Sequence, residues 1–460
     1  MTPLDDAPDL CRLGVAGLTA RFADGTLSPV EATLAALRRA EAINPKFNAF
    51  TMIEHEAALA AARASESRWR RRTPHSAIDG IPTTIKDIVR VAGWVTRYGS
   101  RTGSPGASAA DAPAVAALRA AGAVLIGQTT TPEFGWKAVT DSAAFGVTRN
   151  PWNPALTPGG SSGGAAVAAA TGAGVLHLGT DGGGSIRIPA AFTGIFGHKP
   201  SFGLVPAYPA SAFGTLAHIG PMARNVFDAR AALAAMARRD AADWCQNPVA
   251  ALAAPVARDL RGTKIGVWRT PPCHKLDPGI GAVFDAALDM LAAAGAVLEP
   301  LTLPGPDIQE IFEMLWFSGA ANRLSGVAAD ELERIDPGLR EIAAIGRQFS
   351  AVDYIAAGLR RAEFGAAMDR LLDLYDCIVS PATAIPPFTA GLTVPEHSGL
   401  ARWHEWAGFS FPLNLSQQPA CVLPCGVLPD GLPVGLQLIG ARFGDAGLLD
   451  MAAAVEAILA

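Results

Sequence analysis

Two glycine-dense loops, each holding serine, frame the middle of the chain: TPGGSSGG at residues 157–164 and GTDGGGS at residues 179–185. Between them lie an alanine-rich stretch of helical character and a short apolar run, VLHLGTD (175–181), that looks like a buried strand. Glycine allows positive φ and close backbone approach. The three glycines before Ser185 can therefore aim several backbone N–H groups at one point, the arrangement that stabilises an oxyanion. Two tight turns would account for the same glycines without any chemistry, and residue type alone leaves both readings open. Neither loop fits G-x-G-x-x-G or G-x-x-x-x-G-K-[ST], which argues against a phosphate cradle.

The segments around this block set the fold class. AVLIGQT (123–129), TKIGVW (263–268), DCIVSPA (376–382), ACVLPCG (420–426) and PVGLQLIG (433–440) are short apolar runs of the kind buried on both faces of a sheet. Ala-rich helical stretches separate them. The alternation predicts an α/β fold in which a large, mixed, mostly parallel twisted sheet is sandwiched between helical layers. The N-terminal part, about 8–64, reads as helical. Ser28 is placed as an N-cap, Pro29 at the first helical position and Glu31 in the first turn. The stretch 318–374 also reads as helical. No shift of composition divides the 460 residues, half of them apolar, so a single domain is expected. Within it, about 79–230 would form the catalytic core and about 260–460 would complete the sheet and the substrate pocket.

Composition excludes several classes. A net charge of −5, with only one short basic block at Arg68 to Arg72 that reads as a solvated helix end, argues against nucleic acid or a membrane surface as partner. The acidic start MTPLDDAPDL is unlike a secretory signal, and no apolar run is long enough to span a bilayer. Six scattered cysteines without a CxxC pair read as thiols of a reducing cytoplasm. No HExxH or similar spacing suggests a metal ligand set. GSSGG (160–164) matches the G-x-S-x-G elbow around Ser162, but the residues before it are loop formers, and neither His397 nor His404 is marked as a partner.

Lys86 is one of only six lysines and sits in the strand-like GIPTTIKDIV. A lysine buried there loses its charge or finds a partner. Uncharged it is a competent base; paired with Asp87 it would be a snorkelling surface cation. The residues alone leave both open.

Taken together, DGIPTTIKDIVRVAGWVTRYGS (79–100), the continuous segment 157–206, YDCIVSPAT (375–383) and FPLNLSQQPACVLPCGVLPDGLPVGLQLIG (411–440) resemble the amidase signature family. The resemblance runs from about Leu13 to Leu459. It implies a cofactor-free amidohydrolase with Ser185 as nucleophile, Ser161 as bridging serine after a cis Gly160–Ser161 peptide, and Lys86 as base. It implies an oxyanion hole from the N–H groups of Gly182, Gly183, Gly184 and Ser185, although the family often has Thr where this chain has Gly182. Ser162, Asp181 and Arg187 would support the loops, with a substrate carboxylate as the other role open to Arg187. Phe134, Trp136, Trp316 and Phe317 are candidates for the pocket of a small aryl or alkyl amide; ordinary core packing is their alternative. The resemblance allows a homodimer. It also extends to the glutaminase component of the tRNA-dependent amidotransferase. Arg361 falls on that component's glutamine-binding arginine, but Ala407 falls on its acidic partner. A silent scaffold with the same fold is the remaining alternative.

Overall fold

The computed structural model describes residues 2–103, 106–247, 252–305 and 307–460. Among them thirteen strands are formed: β1 Phe50–Ile53, β2 Pro82–Lys86, β3 Val124–Thr129, β4 Asp141–Ser142, β5 Gly146–Val147, β6 Leu176–Asp181, β7 Phe196–Lys199, β8 His218–Ala223, β9 Lys264–Trp268, β10 Val297–Leu301, β11 Cys377–Pro381, β12 Ala420–Val427 and β13 Pro433–Ile439. Eleven join one sheet in the order β1-β3-β2-β6-β8-β7-β12-β13-β11-β9-β10, while β4 and β5 form a separate ribbon.

All the apolar runs singled out in the sequence are strands of this sheet, and the α/β architecture is the expected one. The pairing is more evenly mixed than "mostly parallel". β2 pairs in parallel with β3 and β6, and β9 with β10 and β11. The other six ladders, from β1/β3 through the middle of the sheet to β13/β11, are antiparallel. The reason is packing on both faces. On β13, Leu436 and Leu438 enter one apolar cluster while Ile439 enters a second; on β11, Cys377 and Val379 enter the first while Ile378 enters the second. An antiparallel strand covered on both faces loses its polar alternation and reads like a parallel one.

Helices cover both faces. Ser28 caps the helix Pro29–Phe47 in a capping box: it accepts from the Glu31 N–H at 3.2 Å, and Glu31 accepts from the Ser28 N–H at 2.8 Å. The helix Gly163–Thr171 is buried on every side, which is why it is built from Ala and Gly rather than from an amphipathic pattern. Helices Ile308–Leu324, Pro337–Gly346 and Ala351–Leu372 form the layer expected near 318–374. Among the described residues no helix is long and apolar enough to cross a membrane, and all six cysteines are free thiols.

The sheet order positions the site. β2 and β6 run parallel with Ile85 opposite Leu178, so Lys86 at the end of β2 and Thr180–Asp181 at the end of β6 share one edge.

Candidate active site

Lys86 is fully buried, and its ammonium nitrogen lies 2.6 Å from Ser161 Oγ, 2.9 Å from Ser162 Oγ and 3.0 Å from Thr180 Oγ1. Burial holds its pKa well below the ordinary lysine value, opposed by the negative charge of Asp181. The pairing with Asp87 does not occur. β2 ends at Lys86, and the Asp87 carboxylate turns to accept the N–H groups of Arg97 at 2.9 Å and Gly99 at 3.3 Å. Burial raises Asp87 to about 7.

The serine loop is clamped from outside. Thr140 Oγ1 donates to the Gly159 carbonyl at 2.8 Å and accepts from the Gly163 N–H at 3.0 Å. A Cβ on Gly160 would lie 2.5 Å from the Val139 carbonyl carbon, so only glycine fits before Ser161. The Gly160–Ser161 peptide is cis, as the resemblance implied. The Ser162 N–H donates to the Ser185 carbonyl at 3.1 Å and ties this loop to the next.

That next loop is organised by Asp181. Its Oδ1 accepts from Gly184 N–H at 2.8 Å, Arg187 Nη2 at 2.9 Å and Asn414 Nδ2 at 2.9 Å. Its Oδ2 accepts from Arg187 Nε at 3.0 Å and Ile186 N–H at 3.1 Å. Burial alone would raise the Asp181 pKa, but Arg187 and the other donors hold it below the usual carboxylate range. Arg187 also donates to the Ser410 carbonyl, Gln437 Oε1 and Asn414 Oδ1. Every N–H-bearing nitrogen of this buried guanidinium is occupied, which removes the alternative of a substrate carboxylate.

The oxyanion expectation needs one correction. Gly184 takes φ +122°, where a Cβ would meet Ser410, and its N–H is spent on Asp181. It serves to shape the loop. Among the described residues no internal acceptor engages the N–H of Gly182, Gly183 or Ser185.

Ser161, Ser185 and Gly182 line a cavity of about 410 Å³. Of the four aromatic candidates, Phe134 and Trp316 are on its wall. Trp136 and Phe317 are not: they are core residues of the second apolar cluster, 4% and 3% exposed. Helical periodicity explains the split, because adjacent residues such as Trp316 and Phe317 face different ways. Residues 98, 213 and 219 were missed. Tyr98, Phe213 and Ile219 belong to the wall, and Phe213 stacks on Trp316 with ring centroids 3.8 Å apart. Tyr98 lies in the segment 79–100 but nothing there singled it out, and Phe213 and Ile219 lie outside every motif. Gly182 makes room here, since a Cβ on it would lie 3.0 Å from Trp316 Cζ3.

Other candidates fall away from the site. His404 pairs with Glu313 at 2.8 Å, while Ser162 bonds to Lys86, so no elbow forms. Arg361 donates to the carbonyls of Leu415, Thr215 and Asn414 and to Thr215 Oγ1, and Ala407 is buried in the second cluster. Among the described residues no group of three His, Cys, Asp or Glu is arranged to hold a metal ion.

Comparison with known proteins places the chain among amidases. The family model "Amidase" matches residues 31–449. A glutamyl-tRNA(Gln) amidotransferase component from Myxococcus xanthus (strain DK1622) is 35% identical, over 95% of this chain and 96% of that protein. A bacterial aryl acylamidase of the amidase signature enzymes superimposes with a TM-score of 0.89 at 26% identity, covering 97% of this chain and 96% of that one. The 6-aminohexanoate cyclic dimer hydrolase gives 0.87 at 26%, covering 98% of each.

Proposed function

The chain belongs to the amidase signature family and is an amidohydrolase acting on carbon–nitrogen amide bonds; from that premise we propose that Ser185 is its nucleophile, Ser161 its proton relay and Lys86 its base. The observation that carries the reading is the fully buried Lys86 nitrogen 2.6 Å from Ser161 Oγ, with Ser161 and Ser185 both lining one cavity.

The hydrogen-bond partners accommodate an uncharged amine. Ser162 Oγ has one proton, and it points to the Thr180 carbonyl at 3.2 Å. Ser162 therefore accepts from Lys86. A neutral amine has two protons and one lone pair. One proton goes to Ser162, a second suits Thr180, and the lone pair faces the hydroxyl proton of Ser161. Burial disfavours the ammonium form.

In the proposed cycle Ser185 Oγ attacks the amide carbon, its proton passes to Ser161 Oγ, and the Ser161 proton passes to Lys86. The N–H groups of Gly182, Gly183 and Ser185 receive the oxyanion; losing one such donor costs about 3–4 kcal/mol in comparable sites. As the C–N bond breaks, Ser161 returns a proton to the leaving nitrogen and is refilled from Lys86. Water then adds to the acyl ester along the same route, and Ser185 leaves with its proton restored. The products are the acid and ammonia or an amine.

The small cavity and its aromatic wall support an aryl or alkyl amide as substrate. A panel of aliphatic, aryl and amino-acid amides tests this with purified protein: turnover of the first two is expected, and its loss in Ser185→Ala. Near-native turnover by that variant would refute the nucleophile. Absence of labelling by a fluorophosphonate would support a silent scaffold instead.

A second reading, a glutaminase working within a larger amidotransferase, is favoured by the 35% identity to the Myxococcus xanthus protein. Against it stand Arg361, whose donors are committed to backbone carbonyls and Thr215, and the apolar Ala407. Glutamine hydrolysis that appears only with partner proteins, with no activity of the isolated chain on simple amides, would establish that reading.

A further inference from the structure

The cavity that holds the serines carries two cations that the proposed chemistry does not use. Arg90 and Arg323 both line it, and both are exposed, so they stand toward its solvent side while the serines lie buried. Among the described residues neither makes an ion pair, and the guanidinium contacts are weak or aromatic. Arg90 Nε reaches only the Tyr98 hydroxyl, at 3.4 Å. Among the same residues no hydrogen bond engages the Arg323 guanidinium. It sits over aromatic rings, its Cζ 3.9 Å from the Phe134 centroid and 5.4 Å from that of Tyr98. Stacking of this kind fixes a guanidinium while leaving its in-plane donors unused.

The acidic groups nearby are occupied. Glu133 accepts from Ser100 Oγ at 2.5 Å and from the Asp336 N–H at 2.6 Å. Asp243, the one carboxylate on the cavity wall among the described residues, accepts the N–H groups of Ala207 and Cys245 at 2.8 and 3.0 Å. The platform itself is held in an unusual backbone state. Phe134 has φ +52° and Tyr98 φ +57°, a region that bulky side chains rarely adopt. Both of these residues line the cavity beneath the arginine. A chain of net charge −5 thus lines the cavity of its serines with two guanidinium groups that make no ion pair among the described residues.

We propose that the substrate is an amide bearing a carboxylate remote from the scissile bond, and that Arg323, with Arg90 beside it, receives this carboxylate while the aromatic wall holds the apolar body between. The inference rests on the amidase reading of the same site. Planar guanidinium donors match carboxylate geometry, and a charge-assisted bond of this kind is strong where water is partly excluded.

The test uses the full chain and matched amides: adipamate against hexanamide, with the carboxylate on the acyl side, and para-acetamidobenzoate against acetanilide, with it on the leaving group. In at least one pair the carboxylate partner should have the higher kcat/KM by about tenfold or more, the range one charge-assisted hydrogen bond supplies. The preference should appear mainly in KM and should shrink as ionic strength rises. Arg323→Gln should bring the ratio close to one, and Arg323→Lys should keep part of it. A wild-type ratio near one in both pairs, or a ratio that survives both Arg323→Gln and Arg90→Gln, overturns the inference. Turnover of neutral amides without charge preference defeats this inference alone. No turnover of any amide, with Ser185→Ala indistinguishable from wild type, defeats the hydrolase reading along with it.

Discussion

Asp181→Asn is the sharpest perturbation of the loop that carries Ser185. The carboxylate is fully buried and accepts five hydrogen bonds, three on Oδ1 and two on Oδ2. An amide retains one acceptor oxygen. Placing its NH2 at the Oδ2 position strips Ile186 N–H and Arg187 Nε of their acceptor; placing it at Oδ1 strips three donors. Either way the Arg187 charge is left buried without a counter-ion, a loss of about 3–5 kcal/mol. That figure already contains the broken bonds, so they are not added again. It is a large share of the roughly 5–15 kcal/mol that holds a folded domain. Urea denaturation followed by tryptophan fluorescence reads the stability, and kcat on a neutral amide reads the loop. A fall in kcat of about a hundredfold or more is expected, because Asp181 holds the loop that carries the proposed oxyanion donors. The sign with pH follows from the depressed carboxylate: its contribution is present above the unfolded value of 3.8 and is lost only as pH falls through the lower folded value. The stability gap between wild type and variant should therefore not narrow from about pH 9 down to about pH 5, and it should widen where Lys86 and Lys199 titrate, because Asp181 supports the charged form of both in the wild type. Adding Arg187→Met to the variant should recover part of the stability, since it removes the stranded charge. A loss below about 1 kcal/mol, or a gap that closes by about pH 6, would refute the account.

Further outcomes follow from the same geometry. Lys86→Met should lower kcat/KM by about 10²–10⁴-fold. Because the folded lysine has a lowered pKa, the unfolded chain binds more protons below 10.5, so wild-type stability falls as pH drops into that window. The urea midpoint of Lys86→Met relative to wild type should accordingly rise between about pH 10 and pH 7. The wild-type pH–rate profile should have its rising limb below 10.5, and a limb at the ordinary lysine value would contradict the buried base. Trp316→Ala and Phe317→Ala form a contrast. The first should raise KM for aryl amides by about fivefold, the worth of roughly 1 kcal/mol of ring contact. Both should cost about 3–5 kcal/mol of stability, read by denaturation, since both are buried in the second apolar cluster, while the second should have less effect on KM than the first.

Local chemistry was legible in the sequence where neighbours along the chain are also neighbours in space. Ser28, Pro29 and Glu31 announce a helix start and form it. The glycines at 159–160 and 182–184 announce close backbone approach, and the contacts at Gly160 and Gly184 show what forbids a side chain there. What could not be read was decided by distant partners. Parallel or antiparallel direction of β12 and β13 depends on neighbours that cover both faces, and burial on both faces erases the polar alternation that would have marked them. The role of Gly184 depended on which acceptor would take its N–H. Asp181 took it, so a residue counted as an oxyanion donor became part of the loop's frame.

The same distinction separates the reaction from its substrate. Lys86, Ser161 and Ser162 are fixed by two adjacent parallel strands and two glycine loops, so their geometry is determined by one stretch of sequence. The cavity wall draws on Tyr98, Phe134, Phe213, Trp316 and Arg323, which come from four separate parts of the chain. Gly182 joins the two sets. Where a threonine would project its side chain to within contact of Trp316, glycine lets that ring and the Phe213 stacked on it close over the nucleophile loop. A relative can keep the first set intact and change the second freely. Identity of about a third to an amidotransferase component therefore speaks for shared bond cleavage and says little about which amide is bound.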